Sequence, residues 1–314
     1  MPDAYAVHQD AVLSNMAVAY SQEGTFIADK VLPVLNVAKE SDKFYTFDRT
    51  DTTTLPFTQR ADGAEAPETS WDVSTDTYQC EEYALKDIVT DRARKNADSP
   101  LDMEGDTTRF LTELIMLDRE RRVAAAVFNG STFSSYTAAL SGNDRWDVYT
   151  DADSDPQADV QTGKNSVLLN TGKMANTVIM GYEVFEDLIL HPNVLDIIKY
   201  TGTSSKPATV NETTLAEAFG VEQVLVGRSS YNSADEGATA SYAFNWGKSV
   251  MIAYIAPTPP RKGLTLGATF RAQPFSVSRW REDRRKGDAI EVSIVDDEKI
   301  IAAACGYYFT TVVS

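Results

Sequence analysis

The sequence predicts an α+β protein in which one long helix separates two strand-rich regions. A helical pattern occupies about residues 107–128. Strand-forming residues dominate residues 44–90 before it and the chain from Ala243 onward after it. Short strand and helix patterns alternate in the part between. Because no internal repeat is present, the order indicates a single mixed fold rather than a repeat protein.

Composition places the chain among globular proteins. It has 314 residues, 43% of them hydrophobic and 24% charged, with only 17 glycines and 12 prolines, which excludes collagen-like and low-complexity classes. Its apolar runs, at residues 250–256 and 300–309, are far shorter than the roughly 20 residues of a membrane span. Residues 1–3 have no signal-peptide character. Cys80 and Cys305 are expected as core residues in a reducing compartment.

The formal net charge of −17 argues against general nucleic-acid binding. Binding DNA requires Lys and Arg to displace the counterions of the phosphates. If the protein lies beside DNA, we expect its charge to prevent adhesion.

Two N-terminal segments need a partner surface. Residues 1–42 mix short apolar and acidic stretches without a sustained period, as expected of an arm. Residues 44–90 favour a two-stranded excursion with a polar tip at residues 61–68. Arms of about 15 residues would reach roughly 50 Å. A hairpin of that length is barely stable alone in water, so it must lie on another surface.

The long helix is predicted to span about 33 Å and to bury one apolar stripe. The stripe, interrupted by Arg121, consists of Phe110, Leu114, Leu117, Ala124 and Phe128. We expect Leu114 and Leu117 to face strands of the core.

The centre and the tail combine shorter elements. Residues 131–175 are expected to form loops with short strands. The next elements are strands at residues 176–180 and 221–226 and helices at residues 182–190, 194–198 and 215–219. In the tail, residues 275–281 and 289–295 predict a hairpin around residues 284–288. Residues 300–313 predict a terminal strand.

Two patterns imitate ligand-binding motifs without completing them. Gly247-Lys248-Ser249 lacks the glycine of a phosphate-binding loop at Tyr242 and precedes a strand, so a turn is expected. The acidic run at residues 151–155 has Pro156 where a calcium loop needs Gly and Thr162 where it needs Glu. We interpret it as a solvated acidic loop.

No catalytic, metal or cofactor residue is predicted, and the protein is not expected to be an enzyme. The only histidines are His8 and His191, and no Cys/His cluster has metal-ligand spacing. His191 is expected to contact the last carbonyls of a helix. A glycosidase-like carboxylate pair stays open, because acids are abundant and nothing singles one out.

One dense charged cluster stands out in the tail. It contains Arg279, Trp280, Arg281, Arg284 and Arg285. An aromatic residue among arginines is typical of nucleic-acid patches, but Glu282 and Asp283 interrupt it. Ion pairs with a neighbouring chain are the favoured interpretation.

The order of arm, excursion, long helix, mixed subdomain and strand-rich tail resembles the major capsid proteins of tailed bacteriophages with the Hong Kong 97-type fold. The resemblance covers essentially the full chain. Its most suggestive stretches are residues 89–98, 176–180 with 182–188 and 191–194, and 244–253.

This resemblance implies a domain map. Residues 1–42 correspond to the N-terminal arm, 43–98 to the extended E-loop with its flanks, 99–130 to the spine helix of the peripheral (P) domain, 131–255 to the axial (A) domain, and 256–314 to the P-domain strands and C-terminal strand.

The resemblance also implies function. Copies would self-assemble as hexamers and pentamers into an icosahedral virion shell around double-stranded DNA, after assembly in the host cytoplasm. A scaffolding protein, a portal and possibly a decoration protein are the implied partners, with DNA only in non-specific proximity. Two alternatives stay open: an encapsulin-like compartment shell and a soluble hydrolase.

In some relatives, a lysine on the extended loop forms a covalent bond with a neighbouring subunit and so cross-links the shell. No lysine lies between Lys43 and Lys86, so non-covalent contact is expected here. Phe57 and Trp71 would cover an adjacent spine helix or P domain.

Overall fold

The computed structural model describes residues 8–9, 26–46, 55, 58–60, 62–63, 65–66, 68, 74–96, 102–151, 153–199, 210–235, 237–257 and 263–314. The strands are β1 (His8–Gln9), β2 (Val34–Asn36), β3 (Ser41–Thr46), β4 (Ser74–Gln79), β5 (Glu81–Thr90), β6 (Thr137–Ala139), β7 (Thr177–Gly181), β8 (Gln223–Gly227), β9 (Ser230–Asn232), β10 (Tyr242–Phe244), β11 (Val250–Ala253), β12 (Gly267–Glu282), β13 (Gly287–Ile300) and β14 (Gly306–Thr310). The helices are α1 (Ala28–Val31), α2 (Asp91–Asn96), α3 (Met103–Val127), α4 (Pro156–Thr171), α5 (Tyr182–Leu190), α6 (Pro192–Lys199) and α7 (Glu212–Phe219).

The first large sheet is built on a long antiparallel hairpin. Trp280 on β12 lies opposite Ala289 on β13, and Glu282 lies opposite Gly287 across the turn. This confirms the predicted tail hairpin. β5 pairs antiparallel with β13, while β1 and β2 pair with the other edge of β12. Chain from the N-terminal arm therefore completes this sheet.

The two-stranded excursion is confirmed where the structure describes it. β3 and β4 pair antiparallel. Their base is fixed to the first sheet, because Tyr78 stacks on Phe270 with ring centroids 4.5 Å apart. The backbone N–H of Gln79 also donates to the Asp297 carboxylate at 3.0 Å. Parts of the tip, at residues 61, 64, 67, 69 and 70, lie outside the described residues.

The face that α3 turns to the first sheet differs from the predicted one. Leu111 and Ile115 pack on Val277, Ile290 and Val292. Of the predicted stripe, Ala124 is buried, Leu117 and Phe128 are half-buried, and Phe110 and Leu114 are 56% and 37% exposed. The expectation that Leu114 faces the strands is therefore wrong. The buried side also carries Thr108, Thr112, Arg119 and Glu120, which hydrophobic periodicity assigns to solvent.

The second sheet has the order β6–β14–β11–β7–β8. Its central strands β7 and β11 are buried along their whole length. Helices α4, α5, α6 and α7 contribute to one core around them, which includes Val178, Met180, Leu188, Ile198, Leu215, Phe219, Ile252 and Phe309. The strands and helices predicted between residues 176 and 226 are confirmed, with bounds that differ by at most three residues.

Two other expectations are wrong. The region expected to form loops contains α4, whose start is capped by Asp155 accepting from the N–H groups of Gln157 and Ala158. Pro156 opens this helix and Gly172 ends it in a left-handed conformation at φ 69°, as helix ends favour. The tail after Ile300 is not one strand either. A short 3₁₀ turn, Ala303–Cys305, precedes β14.

Candidate interaction surface

Six charged side chains form a network at the turn end of the β12–β13 hairpin. They are Arg94 and Asp91 of α2, Glu104 of α3, Arg279 and Arg281 of β12, and Asp288 of β13. Four separate elements are thereby joined. Three arginines face these three carboxylates, and the exposed Asp283 also lies 3.6 Å from Arg281 at the edge of the network. Arginine is suited to this role because its planar guanidinium presents several donors at once.

The arginines of this network donate to more than one carboxylate. Arg279 donates to Glu104 at 2.9 Å and to Asp288 at 2.8 Å. Arg94 contacts Asp288 at 2.6 Å and Glu104 at 2.8 Å. Arg281 donates to the two oxygens of Asp91 at 2.7 and 2.5 Å. The bidentate pair fixes the start of α2 against the hairpin.

The network favours the charged forms of its members. Hydrogen bonds from Arg279 and then Arg94 hold the pKa of Asp288 well below its ordinary value, against the opposing effect of burial. The hydrogen bond from Arg281 likewise lowers the pKa of Asp91. Ionised carboxylates only accept hydrogen bonds, so protonation of these side chains at low pH would weaken the network.

The predicted interface residues fall into four groups. Arg279 and Arg281 make their ion pairs within the same chain. Trp280 is half-buried, with the Lys86 ammonium 5.8 Å from its ring centroid. Arg284 and Arg285 are exposed in the turn and make no ion pair with any described residue. Phe57 and Trp71 lie outside the described residues.

Three large apolar side chains of α3 and β5 are exposed. Phe110 and Leu114, one helical turn apart, are 56% and 37% exposed. Leu85 of β5 is 41% exposed and is the cross-strand neighbour of Val292. Because Val292 packs under α3, Leu85 lies on the helix-bearing face of the sheet. These three residues are called the outer apolar surface below.

One buried carboxylate joins three separate parts of the fold. Glu120 of α3 accepts from the backbone N–H groups of Ile27 at 3.0 Å and Ala28 at 2.9 Å. It also accepts from the indole Nε1 of Trp246 at 2.6 Å. Burial raises the pKa of Glu120, and the three hydrogen bonds oppose that rise. These partners are 92, 93 and 126 residues away along the chain, so no local pattern indicates them.

A second buried network holds α3 against the sheet. Arg119 is only 3% exposed, and its guanidinium contacts Asp29 of α1 at 2.7 Å and Asp296 at 3.4 Å. Arg122 contacts Asp296 at 3.1 Å and Glu298 at 2.9 Å. Burial raises the pKa of Asp296, while the surrounding arginines favour its ionised form. Removing one member would leave an unpaired buried charge.

The motifs that imitate catalysis have structural roles here. Gly247 has a left-handed φ of 52° in the turn that leads into β11, which confirms the expected turn. His191 is buried, and its Nδ1 accepts the backbone N–H of Asn193 while its Nε2 lies 3.1 Å from Ser154 Oγ. Its ring therefore binds the start of α6 rather than the last carbonyls of α5, contrary to expectation.

The described residues offer neither a metal centre nor a membrane span. No group of three or more His, Cys, Asp or Glu side chains in this part of the chain is placed to hold a metal ion. Among the described helices, none is long and apolar enough to cross a membrane.

Two phage proteins are similar to this chain from end to end. A major capsid protein of Pseudomonas phage JBD67 is 28% identical over 312 residues, which cover 97% of each protein. A major capsid protein of Burkholderia phage BcepMu is 28% identical over 300 residues, covering 93% of this chain and 88% of the phage protein. No family model matches the chain.

Solved structures share the fold. A phage-related protein from Bordetella bronchiseptica RB50 covers 98% of this chain and 98% of its own, with a TM-score of 0.76 and 22% identity. The capsid of cyanophage P-SCSP1u covers 90% of this chain and 87% of its own, with a TM-score of 0.63 and 8% identity. The resemblance to the major capsid proteins of phages, predicted from the sequence, is confirmed along nearly the whole chain.

Proposed function

We propose that this protein is the major capsid protein of a tailed phage. Its copies assemble as hexamers and pentamers into the icosahedral head shell that encloses double-stranded DNA. End-to-end similarity to two phage proteins of that name is the observation that supports this most directly. Assembly takes place in the host cytoplasm, and the protein then belongs to the virion. Its role is structural rather than catalytic.

In this proposal the chain has the Hong Kong 97-type domain order. Helix α3 and the sheet of β12, β13 and β5 form the P domain, with α3 as its spine. The sheet of β6, β14, β11, β7 and β8, with helices α4 to α7, forms the A domain. β3 and β4 are the base of the E-loop, and the chain before them is the N-terminal arm. Separate cores under the two sheets support this division.

The E-loop contacts a neighbouring subunit in this proposal. Phe57 and Trp71 are its large aromatic side chains, and the outer apolar surface around Phe110 and Leu114 offers a matching target. Exposed apolar patches of this kind are typical of interaction sites. The contact is non-covalent, because residues 44–85 contain no lysine. The exposed Arg284 and Arg285 of the hairpin turn also contact a neighbouring subunit in this proposal.

Other partners follow from the same proposal. A separate scaffolding protein guides curvature during assembly, a portal occupies one vertex, and a decoration protein binds the finished shell. Packaged DNA lies close to the shell without specific binding, because the chain carries a net charge of −17.

The mass of the purified protein in solution tests this proposal. Light scattering coupled to size-exclusion chromatography should show particles of many subunits, in contrast to the 34.5 kDa of one chain. A hydrolase would remain a monomer or small oligomer. Particles purified from a phage lysate should contain DNA, whereas a cargo enzyme inside them would favour an encapsulin-like compartment.

A further inference from the structure

A basic cleft interrupts the acidic character of the chain. It is an open cleft of about 720 Å³ between the hairpin turn and α2. Its lining cations are Arg92, Lys95, Arg285 and Lys286, and its one lining carboxylate is Asp91. Since Asp91 is already paired with Arg281, it does not neutralise the lining cations. Arg285 also lines an adjoining cleft of about 280 Å³ with Lys86 and Asp87.

The cations of this cleft are available to a partner. All four are exposed, and none makes an ion pair with any described residue. The backbone around them is fixed, because the N–H of Asp91 donates to the carbonyl of Lys286 at 2.9 Å. The neutral network of Arg94, Arg279 and their carboxylates supports the cleft from behind. A positioned group of free cations is a site for a polyanionic partner.

The same chain carries a matching acidic segment. From residue 61 to residue 85 the sequence has seven carboxylates and no lysine or arginine. Asp62, Glu65 and Glu68 lie near the tip of the excursion and are exposed. Asp76, Glu81 and Glu82 are also exposed, so the described carboxylates of this segment are accessible. Its charge is complementary to that of the cleft.

The base of the acidic segment and the basic cleft lie at opposite ends of one sheet. The base of the excursion is bound to Asp297 near the end of β13, whereas the cleft adjoins Gly287 at its start. These positions are about 34 Å apart along the strand. Different surfaces at opposite ends pair naturally in a head-to-tail contact, in which each copy offers one surface to each neighbour.

We propose that the basic cleft of Arg92, Lys95, Arg285 and Lys286 receives the acidic tip of the excursion of a second copy of this chain. This inference rests on the proposed shell function and adds the charge contact that orients one subunit on the next. Attraction between the two surfaces speeds encounter and selects the head-to-tail register, and it is screened by salt.

Charge exchange between two variants tests the contact. The cleft variant carries Arg92→Glu, Lys95→Glu and Arg285→Glu, which makes its cleft net negative, and the tip variant carries Glu65→Lys and Glu68→Lys. Each alone should assemble about tenfold more slowly than the wild type at low salt, because like charges then meet at every contact. In an equal mixture, each cleft can meet an opposite tip in an alternating arrangement. The mixture should therefore form hexameric assemblies at a rate closer to that of the wild type than either variant does alone.

A surface variant provides the matched control. Lys173→Glu changes an exposed lysine outside the cleft, so it should assemble like the wild type. Rescue by mixing also shows that both variants are folded, since an unfolded protein would not be rescued.

Three outcomes would overturn the inference. They are assembly of the cleft variant as fast as the wild type, a mixture that remains as defective as its components, and reduced binding of double-stranded DNA as the sole defect of the cleft variant. That last result would assign the cleft to DNA. Failure of the wild type itself to assemble would contradict the proposed function instead, so the two failures are distinguishable.

Discussion

The carboxylate of Glu120 on α3 accepts a hydrogen bond of 2.6 Å from the indole Nε1 of Trp246, which lies in the turn before β11. The same carboxylate accepts the first N–H groups of α1. One side chain of the long helix thus connects the N-terminal segment to the second sheet. Because all three donors point to a buried site, water could not replace the carboxylate as their acceptor if it were removed.

Replacing this acceptor should destabilise the fold. In Glu120→Gln, the amide NH₂ would face an N–H donor and leave it unsatisfied. We expect the free energy of unfolding to fall by about 2 kcal/mol. Urea unfolding followed by Trp fluorescence measures the change. Glu217→Gln, at an exposed position of α7, is the control and should be near neutral. Equal stability of the two variants would refute the role of Glu120.

The two sides of α3 should respond differently to truncation. Ile115 is 2% exposed, so Ile115→Ala should lower the free energy of unfolding by about 2–4 kcal/mol. Leu114 lies on the outer apolar surface, so Leu114→Ala should change the free energy of unfolding by about 0.5 kcal/mol or less. Thermal unfolding of the unassembled protein measures both. In an assembly assay, only the Leu114 variant should be defective while still folded, and a normal yield of shells from it would contradict the proposed contact.

The network at the hairpin turn should make stability depend on pH. The folded-state pKa of Asp288 is depressed by its arginines, so its contribution is fully present above the unfolded-state value, near 3.9, and is lost as pH falls below it toward the folded-state pKa. Asp288→Asn should cost about 1–2 kcal/mol at pH 7. The difference from the wild type should shrink below about pH 4. A pH-independent difference would show that the ionised carboxylate is not responsible.

The excursion should be dispensable for folding and required for assembly. Deleting residues 50–71 and joining the ends with a short Gly-containing turn keeps β3 and β4, whose bounds are Ser41–Thr46 and Ser74–Gln79. The far-UV circular dichroism of the remaining sheets should be retained while shells are lost. Shells of normal size from the deletion variant would exclude the excursion as an assembly element.

The contact made by the excursion should also be non-covalent. Because residues 44–85 contain no lysine, mature particles should give one band near 34.5 kDa on a denaturing gel. A ladder of cross-linked oligomers mapping to this segment would refute this account.

Local patterns predicted much of the fold. The hairpin around residues 284–288 followed from alternating side chains that flank a charged turn, and helix α5 followed from its apolar periodicity. Both signals lie within one element, so they need no knowledge of the partner surface. The face of α3 did not follow, because its buried side includes Arg119 and Glu120. Those residues are tolerated only through partners that tertiary structure supplies.

The candidate interaction surface was also predicted only in part. A run of arginines near residue 280 was visible in the sequence, but the carboxylates of Asp91 and Glu104 that neutralise Arg281 and Arg279 are 190 and 175 residues away. Helix α4 was missed for a different reason. Its Asn, Thr and Gly residues have low helix propensity, although the cap at Asp155 and the following proline were signals that could have identified it.

Negative-stain electron microscopy of the purified protein shows whether its copies form a shell. We expect closed shells, or hexamers and pentamers as their intermediates, when the protein is concentrated alone or with a scaffolding partner. A protein that stays strictly monomeric and compact under every assembly condition would contradict this expectation.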